Sequence, residues 1–443
     1  MLRHVKTRTS ALSTALKTCI SLAPVLALSI GTAAPTWAQS PAIERGAAAL
    51  IEDPAPLRLP AALALAMASN AGLAVAQRAL DAAEGPLLQG RARPNPALSV
   101  LLEDLRATNR ITTVQLSQAI ELGGKRAARI DAADRLRDIA AIELAGQRAA
   151  LHSTVLLAFQ DVLLAQQHVQ GAAETAALAR RGSDAASRRV LAGKVSPVEE
   201  TKARIAEASA GLDTLQAQTE LALARQRLTA TWGNAAPRFE RAEPADEPTA
   251  DLPALPTPQA LATRLAASPS LRRAQSEVLL RQAVTRVERS KATPDVTVSL
   301  GLKRDEQAGR NQAVIGFSMP IGVFDRNQGN VLEALKREEK SHAELVAAEQ
   351  TLRSAVLQAA GRLAAASAEA QAILAQVLPG AQSAFDAASK GFELGKFSFL
   401  DVLDAQRTLF QAKAQHLRAR GQALRAAADI DRWLGDGESL IAR

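Results

Sequence analysis

The feature that most constrains this chain is the stretch from Lys125 to Arg189, 65 residues of helical pattern without a proline. At about 1.5 Å per residue it predicts a helix about 100 Å long. Apolar residues recur in it at alternating spacings of four and three, the heptad pattern of a helix packed lengthwise against neighbours. These positions are Leu151, Val155, Ala158, Val162, Ala165, Val169, Ala172, Ala176 and Ala179.

The charge of the chain gives no indication of nucleic-acid binding. The formal net charge of the 443 residues is +8. Four basic residues (Arg3, Lys6, Arg8 and Lys17) lie in the leader segment, so the remainder carries only about +4. A strongly basic surface is what nucleic-acid binding requires. Tyrosine is absent and aromatic residues are scarce, which excludes a large aromatic core.

The N-terminus has the order of a secretory signal peptide. A basic segment precedes an apolar run from Cys19 to Ala34, and Thr36-Trp37-Ala38 predicts cleavage after Ala38, so the signal peptide is 1–38. An uncleaved anchor is the alternative, but the run is shorter than the roughly 20 residues of a spanning helix. Lys17 is incompatible with a lipoprotein cleavage site at Cys19. We therefore expect an exported protein without cysteine, disulfide or lipid.

The first half of the mature chain alternates between helical and strand patterns. A linker (39–58) precedes a helical stretch that stops before the breaker Arg93-Pro94-Asn95-Pro96. Residues 97–122 then alternate with period two, as in a pair of half-buried strands. In the second of these strands Val114 and Leu116 share one face, and Thr113 and Gln115 share the other. A long helical hairpin is predicted over 125–231.

The second half repeats this order after a Pro- and Ala-rich linker at 233–258. A helix is followed by a strand pair over 295–323, a helical hairpin over 326–434 and a tail over 436–443. The second strand is predicted to keep one apolar face through Ala313, Ile315, Phe317, Met319, Ile321 and Val323. The heptad positions of the hairpin are Leu352, Val356, Ala359, Leu363, Ala366, Ala370, Ile373 and Val377, then Leu403, Phe410, Leu417 and Leu424. A kink is predicted at Pro379-Gly380.

Punctuating residues of the two halves correspond at a shift of roughly 200 positions. The matched pairs are Pro94 with Pro294, Ser117 with Ser318, Gly193-Lys194 with Gly395-Lys396, and Gly233 with Gly435. Internal repetition is stronger evidence of architecture than local propensity. We interpret the chain as a duplication, with a first repeat at 59–232 and a second at 259–435. Each repeat is a helix, a strand pair and a long helical hairpin.

Strands with one apolar and one polar face suit a barrel wall with lipid outside and water inside. Lipid does not tolerate an open sheet edge, so four strands cannot stand in a membrane alone. The smallest membrane barrels have about eight strands, and three copies of this chain would supply twelve. The alternative is a soluble strand pair that caps a coiled coil.

Three segments of the chain resemble the TolC-type outer-membrane efflux channels, and the similarity extends over essentially the whole mature length. The segments are Ser398 to Leu409, Arg93 to Pro96, and Ser117 to Arg126, and the last two resemble the branch that serves cobalt-zinc-cadmium efflux systems. The resemblance implies a mainly α protein with a small membrane β part, in which long hairpins form an α-barrel. It also implies a homotrimer with a twelve-stranded barrel in the outer membrane of a Gram-negative bacterium. The implied partners are a periplasmic adaptor and a proton-driven inner-membrane pump.

Two aspartates after the second hairpin turn are candidate gate residues. Asp401 and Asp404 are three residues apart, on one helix face, and in a threefold channel each would form a ring of three carboxylates. The resemblance places matching aspartates at the inner constriction of the tunnel. The alternative is a solvated acidic pair that complements the helix dipole. In the first repeat Glu199 stands at the position of Asp401, and Lys202 at that of Asp404.

The two hairpin turns are the candidate docking tips, because they end the only hairpins long enough to cross the periplasm. The tip residues are Gly193, Lys194, Ser196, Gly395, Lys396 and Ser398. Lys194 and Lys396 are close enough in sequence to the tip acids to pair with them. Such exposed pairs contribute about 1 kcal/mol or less each, which suits a gate that a partner must open.

No enzymatic site, cofactor or metal site is predicted. The histidines (His4, His152, His168, His342 and His416) have no ligand-like spacing. Gly123-Gly124-Lys125 lacks the other residues of a phosphate loop and is interpreted as a flexible passage from strand to helix. No nucleophile stands near a base in any recognisable pattern.

Three other functions remain open at this point. A channel of the same architecture could export drugs or other organic compounds, since the pump and adaptor usually select the substrate. A periplasmic coiled-coil scaffold would explain the long helices but not the alternating strands or the duplication. An adaptor protein would have one hairpin flanked by β-rich domains, whereas this chain has two hairpins and little other β structure.

Overall fold

The computed structural model of the chain describes residues 52–104, 106, 108–243, 254–255, 257–394 and 396–435. The predicted signal peptide (1–38), the tail (436–443) and the tip residue Gly395 lie outside the described residues. Most of the linker at 39–58 and the middle of the linker at 233–258 lie outside them as well.

The described elements fall into two sets that follow the same order. The first set is β1 (Leu57–Arg58), α1 (Leu59–Ser69), α2 (Ala71–Arg91), β2 (Ala97–Glu103), β3 (Ile111–Ile120), α3 (Lys125–Leu191) and α4 (Pro197–Ala230). After β4 (Ala242–Glu243), the second set is α5 (Pro258–Ala266), α6 (Pro269–Lys291), β5 (Val296–Asp305), β6 (Arg310–Ser318), α7 (Gln328–Ala372), a π turn (Ile373–Val377), α8 (Leu378–Glu393) and α9 (Phe399–Leu434).

The long helix α3 is 67 residues, so its ends lie about 100 Å apart. None of its predicted heptad positions is exposed, and Leu151, Val155, Val162 and Ala179 are buried. Helix α4 packs along α3, helix α9 packs along the opposite side of α3, and α7 packs along α9. The four long helices therefore form one layer in the order α4, α3, α9, α7.

The heptad positions of α7 are buried from Leu352 to Ile373, but the last predicted position, Val377, is 45% exposed. The cause is the π turn, which lies directly before the position of the predicted kink at Pro379-Gly380. Pro379 has no N–H and its ring crowds the preceding turn, and a π turn widens the helix there. One extra residue in a turn rotates everything that follows by about 100°, which removes Val377 from the buried face.

The heptad prediction for α9 was displaced by one residue. Leu403, Phe410, Leu417 and Leu424 are only half-buried. The buried positions are Val402, Gln406, Leu409, Ala412, Ala419, Ala423, Ala426, Ala427 and Ile430. Helix α9 lies between α3 and α7, and small alanines of α9 face both of them. The large side chains that mark the heptad in the sequence therefore lie beside these contacts and are only half-buried. The ring of Phe410 lies over Gly171 of α3.

The four longer strands form one antiparallel sheet in the order β2-β3-β5-β6. Leu98, Leu116, Leu300 and Ile315 are joined across the sheet by its register, and all four are more than half exposed. The opposite face carries mainly polar residues, among them Ser99, Thr113, Gln115, Ser299 and Lys303. The predicted alternation of apolar and polar faces is therefore present in the folded sheet.

Two strands end earlier than their sequence pattern predicts. Strand β3 ends at Ile120 rather than Leu122, and β6 ends at Ser318 rather than Val323. The partner of β6 begins at Val296, so β6 has no neighbour to pair with beyond Ser318. Met319, Ile321 and Val323 are all more than half exposed.

Two apolar clusters at equivalent positions of the two repeats hold the short helices against the long ones. In the first, Val155, Phe159 and Val162 of α3 pack with Leu228 and Trp232. In the second, the corresponding contacts are made by Val356, Leu363, Ile430 and Leu434. Burial of large apolar side chains contributes about 1.5–3 kcal/mol each, so these clusters are the main anchors of the fold.

The first cluster is closed by a buried carboxylate. Glu52 accepts hydrogen bonds from Trp232 Nε1 (3.1 Å), Asn234 Nδ2 (2.8 Å) and Arg238 N (2.7 Å). Burial raises the pKa of Glu52, but these three donors together hold it below its ordinary value. The ionised carboxylate thus ties the chain before α1 to the chain after α4.

Candidate functional site

The turns at the ends of α3 and α8 share a backbone hydrogen bond in which an N–H donates to the carbonyl five residues earlier. After α3, Gly193 N donates to Val190 O and Lys194 N donates to Arg189 O, both at 2.9 Å. After α8, Lys396 N donates to Gly391 O at 2.8 Å. This is the Schellman pattern, and Gly193 supplies the positive φ (+67°) that it requires.

The helices that leave the two turns begin with serine caps. Ser196 Oγ accepts a long hydrogen bond from Val198 N (3.3 Å), and Pro197 occupies the first turn of α4. Ser398 and Asp401 form a capping box, in which Ser398 N donates to Asp401 Oδ2 (2.8 Å) and Asp401 N donates to Ser398 Oγ (3.3 Å). The predicted tip residues Gly193, Ser196 and Ser398 therefore define the turns.

The two candidate gate aspartates have different surroundings. Asp401 Oδ2 accepts from both the N–H and the hydroxyl of Ser398, so this carboxylate stabilises the first turn of α9. The alternative interpretation placed the acidic pair at the start of the helix as a stabiliser of that end. Asp401 has this role within one chain. Asp404 is exposed, and no hydrogen bond or ion pair of its carboxylate is found among the described residues. Asp404 is thus the freer of the two negative charges.

The predicted pairing of tip lysines with tip acids is not formed within one chain. Lys194 and Lys396 are exposed and make no ion pair with a described residue. Glu199 is half-buried, and the salt bridge in the first turn of α4 is instead Arg204 to Glu200 (2.6 Å).

The two tips lie side by side. The guanidinium of Arg189 stands over the ring of Phe392 at 4.2 Å, which joins the ends of α3 and α8. Ala186 and Ala203 pack with Phe392 and Leu403 in a small apolar cluster. A cation–π contact contributes about 0.5–1 kcal/mol when exposed, so it supports the alignment of the tips without fixing it rigidly.

A buried glutamine lies just beyond the aspartates on α9. Gln406 is 2% exposed, and its Oε1 has no hydrogen-bond partner among the described residues. An unpaired buried polar atom costs about 1–3 kcal/mol. Burial of Gln406 therefore lowers the stability of the packing of α9 next to the tip. The burial of Gln406 did not follow from the sequence, because the predicted heptad positions of α9 were displaced by one residue.

The opposite end of the long helices is fixed by an ion-pair cluster that sequence reasoning missed. Arg129 forms a double hydrogen bond with Glu121, one arm of which measures 3.0 Å. Asp295 Oδ1 accepts from Lys125 Nζ (2.7 Å) and from Leu122 N (3.1 Å). The cluster joins the last residues of β3, the first turn of α3 and the start of β5. Its only sequence signal was the polar position Glu121 directly after the strand.

Hydrogen bonding keeps both acids of this cluster ionised. The bonds from Arg129 hold the pKa of the Glu121 carboxyl below its ordinary value. Burial raises the pKa of Asp295, but hydrogen bonds from Lys125 and from the Leu122 amide lower it further than burial raises it. The junction of sheet and helix is therefore charged at neutral pH.

Glycines allow the chain to turn sharply at this junction. Gly123 and Gly124 have φ of +69° and +74°, and a Cβ on Gly123 would collide with Thr293. At the equivalent place in the second repeat Asn327 has φ of +62° and donates to Glu288 O (2.8 Å). The glycines are therefore a defined left-handed turn rather than the flexible passage that the sequence suggested.

Within the described residues, no group of three or more His, Cys, Asp or Glu side chains is placed to hold a metal ion. His168 Nδ1 lies 3.1 Å from Glu220 Oε2 and connects α3 to α4. His416 Nδ1 lies 3.2 Å from Ala370 O. These two histidines have structural positions between helices.

Comparison with known families decides what this architecture is. Residues 62–234 and 260–436 each match the family of outer membrane efflux proteins. The chain belongs to the outer membrane efflux protein family. It is therefore an efflux channel of the outer membrane of a Gram-negative bacterium, and the family acts as a transport duct rather than as an enzyme.

Two characterised relatives cover most of this efflux protein. The cobalt-zinc-cadmium resistance protein CzcC of Cupriavidus metallidurans is 48% identical over 384 residues, which are 87% of this chain and 91% of the relative. The nickel and cobalt resistance protein CnrC of the same organism is 31% identical over 66% of this chain and 69% of its own length. The resemblance to efflux channels that the sequence motifs predicted is confirmed.

The fold of this efflux protein also matches solved channel structures. A solved structure of CusC, from a study of its folding and transmembrane channel formation, superposes on this chain with a TM-score of 0.73. It is 20% identical and covers 86% of this chain and 92% of its own. This likeness confirms the mainly helical, TolC-like fold of the predicted class.

Proposed function

We propose that this efflux protein is the outer-membrane duct of a three-part system that exports divalent heavy-metal cations. The observation that carries the proposal is the 48% identity to a cobalt-zinc-cadmium resistance protein along nearly the whole of both chains. In this proposal the duct is passive and supplies no energy for transport. An inner-membrane pump supplies the energy, and a periplasmic adaptor connects the pump to the duct.

The duct is a homotrimer with a twelve-stranded barrel. Strands β2 and β6 form the two open edges of the sheet, and the apolar face between them is exposed. In lipid, every N–H and C=O of those edges must find a partner, and closure by further copies supplies them. Three copies give twelve strands, with the apolar face toward lipid and the polar face toward water.

The helical layer has edges that suit the same threefold arrangement. Helix α4 forms one edge and exposes Val198, Ile205 and Leu212, which are seven residues apart and each at least 60% exposed. The opposite edge, formed by α7 and the π turn, exposes Val346 and Leu374. Contact between unlike edges is a heterologous interface, which closes into a ring when the rotation is right. The twelve long helices then enclose a tunnel below the barrel.

The substrate is tested by growth of a strain that lacks the gene. We expect lower resistance to zinc, cobalt or cadmium, with resistance to unrelated drugs unchanged, and restoration by the gene on a plasmid. A strain that loses drug resistance and keeps its metal resistance would support the alternative, an export duct for organic compounds. Copper belongs in the same screen, because the pump and adaptor set the choice of metal.

The periplasmic end of the tunnel is a gate of low conductance. Asp401 and Asp404 lie in the first turns of α9, and three copies give six carboxylates around a narrow aperture. Such a ring concentrates cations and repels anions. Glu199 of the first repeat adds three further charges in the same layer.

Asp401→Ala combined with Asp404→Ala should weaken block of the channel by divalent cations on the periplasmic side. The block constant, measured in planar bilayers in the same salt, is the observable, because loss of the Asp401 capping box also changes the tip. Ser398→Ala is the matched control, since it breaks the cap but keeps both aspartates. If the double variant and the parent are blocked equally, the aspartates do not line the pore and only cap the helix.

The tips around Lys194 and Lys396 are the docking surface for the adaptor. They project about 100 Å from the sheet, and their lysines are exposed and without an ion-pair partner within the described chain. Gly193, Ser196 and Ser398 shape the turns that present these lysines.

Cysteine at Lys194 or Lys396 should form crosslinks with the adaptor in cells. The mature chain is expected to contain no other cysteine, so the product is unambiguous. Gln167→Cys, exposed near the middle of α3, is the control position. The neighbouring Gln166 is not suitable as the control position, because its side chain is hydrogen-bonded to the backbone of Ala242. Equal crosslinking at Gln167 and at the tips would contradict docking by the tips.

A further inference from the structure

We propose that a groove between α3 and α6, directly below the sheet, binds the phosphate headgroup of an anionic phospholipid in the periplasmic leaflet of the outer membrane. The groove has a volume of about 510 Å³. Residues that line it include Gly123, Ala127 and Asp131 on the side of α3, and Arg286, Arg289 and Ser290 on the side of α6. The inference rests on the proposed barrel and specifies how lipid holds that barrel at its depth.

The groove stays open when copies of the chain assemble. Close to the sheet, neighbouring helices pack in the order α2, α3, α6, α7, which follows the strand order β2-β3-β5-β6. The groove lies between the two inner helices of this layer, whereas contact between copies in the proposed trimer uses the outer helices, α2 and α7. It is therefore a site within one chain that a neighbouring copy does not cover.

Two acidic residues at the ends of the strands show which side of the helical layer faces water. Side chains alternate along a strand, and the odd-numbered residues of β3 and β5 form the polar face of the sheet. Glu121 and Asp295 continue these odd-numbered series one residue beyond their strands. Both carboxylates therefore lie on the water side.

Their ion-pair partners give the orientation of α3. Lys125 binds Asp295 and Arg129 binds Glu121, so the face of α3 that carries Lys125 and Arg129 lies on the water side. At about 100° per residue, Ala127 stands opposite the middle of that face, and Asp131 is turned away from it by about 140°. The groove that Ala127 and Asp131 line therefore opens on the outer side of the layer, which continues the lipid face of the sheet.

Positive charge is concentrated where the helices meet the sheet. The segments that border the sheet on this side contain nine basic and five acidic residues, a net charge of +4. These segments are 91–93, 121–131, 286–295 and 325–326. The whole chain beyond residue 38 carries about +4, so the rest of it is close to neutral. The strand connections at the opposite end of the sheet, 104–110 and 306–309, have no net charge. An anionic partner is therefore favoured at the helical end of the sheet.

The groove itself offers one uncompensated cation. Arg289 is exposed and makes no ion pair with a described residue. Arg286 is bound to Asp131, and its side chain remains 53% exposed. A guanidinium binds phosphate oxygens through two parallel N–H···O bonds, a geometry that lysine lacks. The single net positive charge of these three residues matches the single negative charge of a phospholipid phosphate.

Apolar side chains lie directly above the groove, where the acyl chains of such a lipid would run. Ile120 and Leu122 continue the lipid face of β3 and are 47% and 38% exposed. Tryptophan and tyrosine commonly fix the depth of a membrane protein at this level. This chain has no tyrosine, and Trp232 and Trp433 lie at the far ends of α4 and α9, away from the sheet. Arginines bound to lipid phosphate would supply the missing anchor.

Lipid binding to the purified oligomer tests the groove. Delipidated protein in mild detergent is titrated with phosphatidylglycerol or with phosphatidylethanolamine of the same acyl chains, and bound lipid is counted by native mass spectrometry. We expect the parent to bind phosphatidylglycerol several-fold more tightly than phosphatidylethanolamine. Arg289→Gln should lower the affinity for phosphatidylglycerol about fivefold, the typical contribution of one cation at an anionic lipid surface.

Arg272→Gln is the matched control. Arg272 lies on nearly the same face of α6 as Arg286 but fourteen residues earlier, about 21 Å farther from the sheet. It is exposed and, like Arg289, makes no ion pair with a described residue. This variant removes the same charge and should bind phosphatidylglycerol as the parent does. Arg289→Lys, which keeps the charge, should keep the preference for phosphatidylglycerol. Each variant should retain the oligomeric mass of the parent, which shows that folding is intact.

The outcomes separate this inference from the function on which it rests. Equal affinity of the parent for the two lipids, or an equal loss in Arg289→Gln and Arg272→Gln, would overturn the headgroup site. Displacement of the lipid by glycerol phosphate at equal concentration would show that the groove takes a soluble phosphate instead, which also overturns it. Metal resistance in the growth screen is measured independently. If deletion of the gene leaves metal resistance unchanged while the lipid preference is present, the proposed substrate is wrong and the headgroup site stands.

Discussion

The constraint on which the rest of the structure depends is the hydrogen bonding of a four-stranded sheet in lipid. Both edges of this sheet are open and one face is mainly apolar. Water could satisfy the edges but would not favour the face, and lipid favours the face but cannot satisfy the edges. The proposed closure by further copies would satisfy both demands, and the unlike edges of the helical layer fit the same arrangement.

The sheet and the tips are connected through a small number of defined junctions. The Glu121–Arg129 and Lys125–Asp295 pairs fix the start of α3 to the sheet, and α3 then continues for 67 residues. At the far end the capping box of Ser398 and the contact of Arg189 with Phe392 shape the tips. The buried Gln406, whose Oε1 has no partner among the described residues, lies near the tips, where we propose that a partner acts.

Regular periodicity made much of this fold predictable, and the differences have local causes. The bounds of α3 and the two faces of the sheet followed from spacing alone. The exposure of Val377 did not, because a π turn before Pro379 adds a residue that no heptad pattern records. Strand β6 stops at Ser318 in one chain because its continuation lacks a partner there. The role of Asp401 at the start of α9 was one of the two interpretations that the sequence left open. The Glu121–Arg129 pair was not predicted, because it forms only when the fold brings the end of β3 next to the first turns of α3.

The number of chains in the folded protein tests the central claim most directly. Protein extracted from outer membranes in mild detergent can be sized by light scattering with correction for bound detergent. The account predicts the mass of three chains, and a change to one chain only when the sheet unfolds. A folded, monomeric species with the helical content of the structure would contradict it, because the edges of the sheet would then have no partner in lipid.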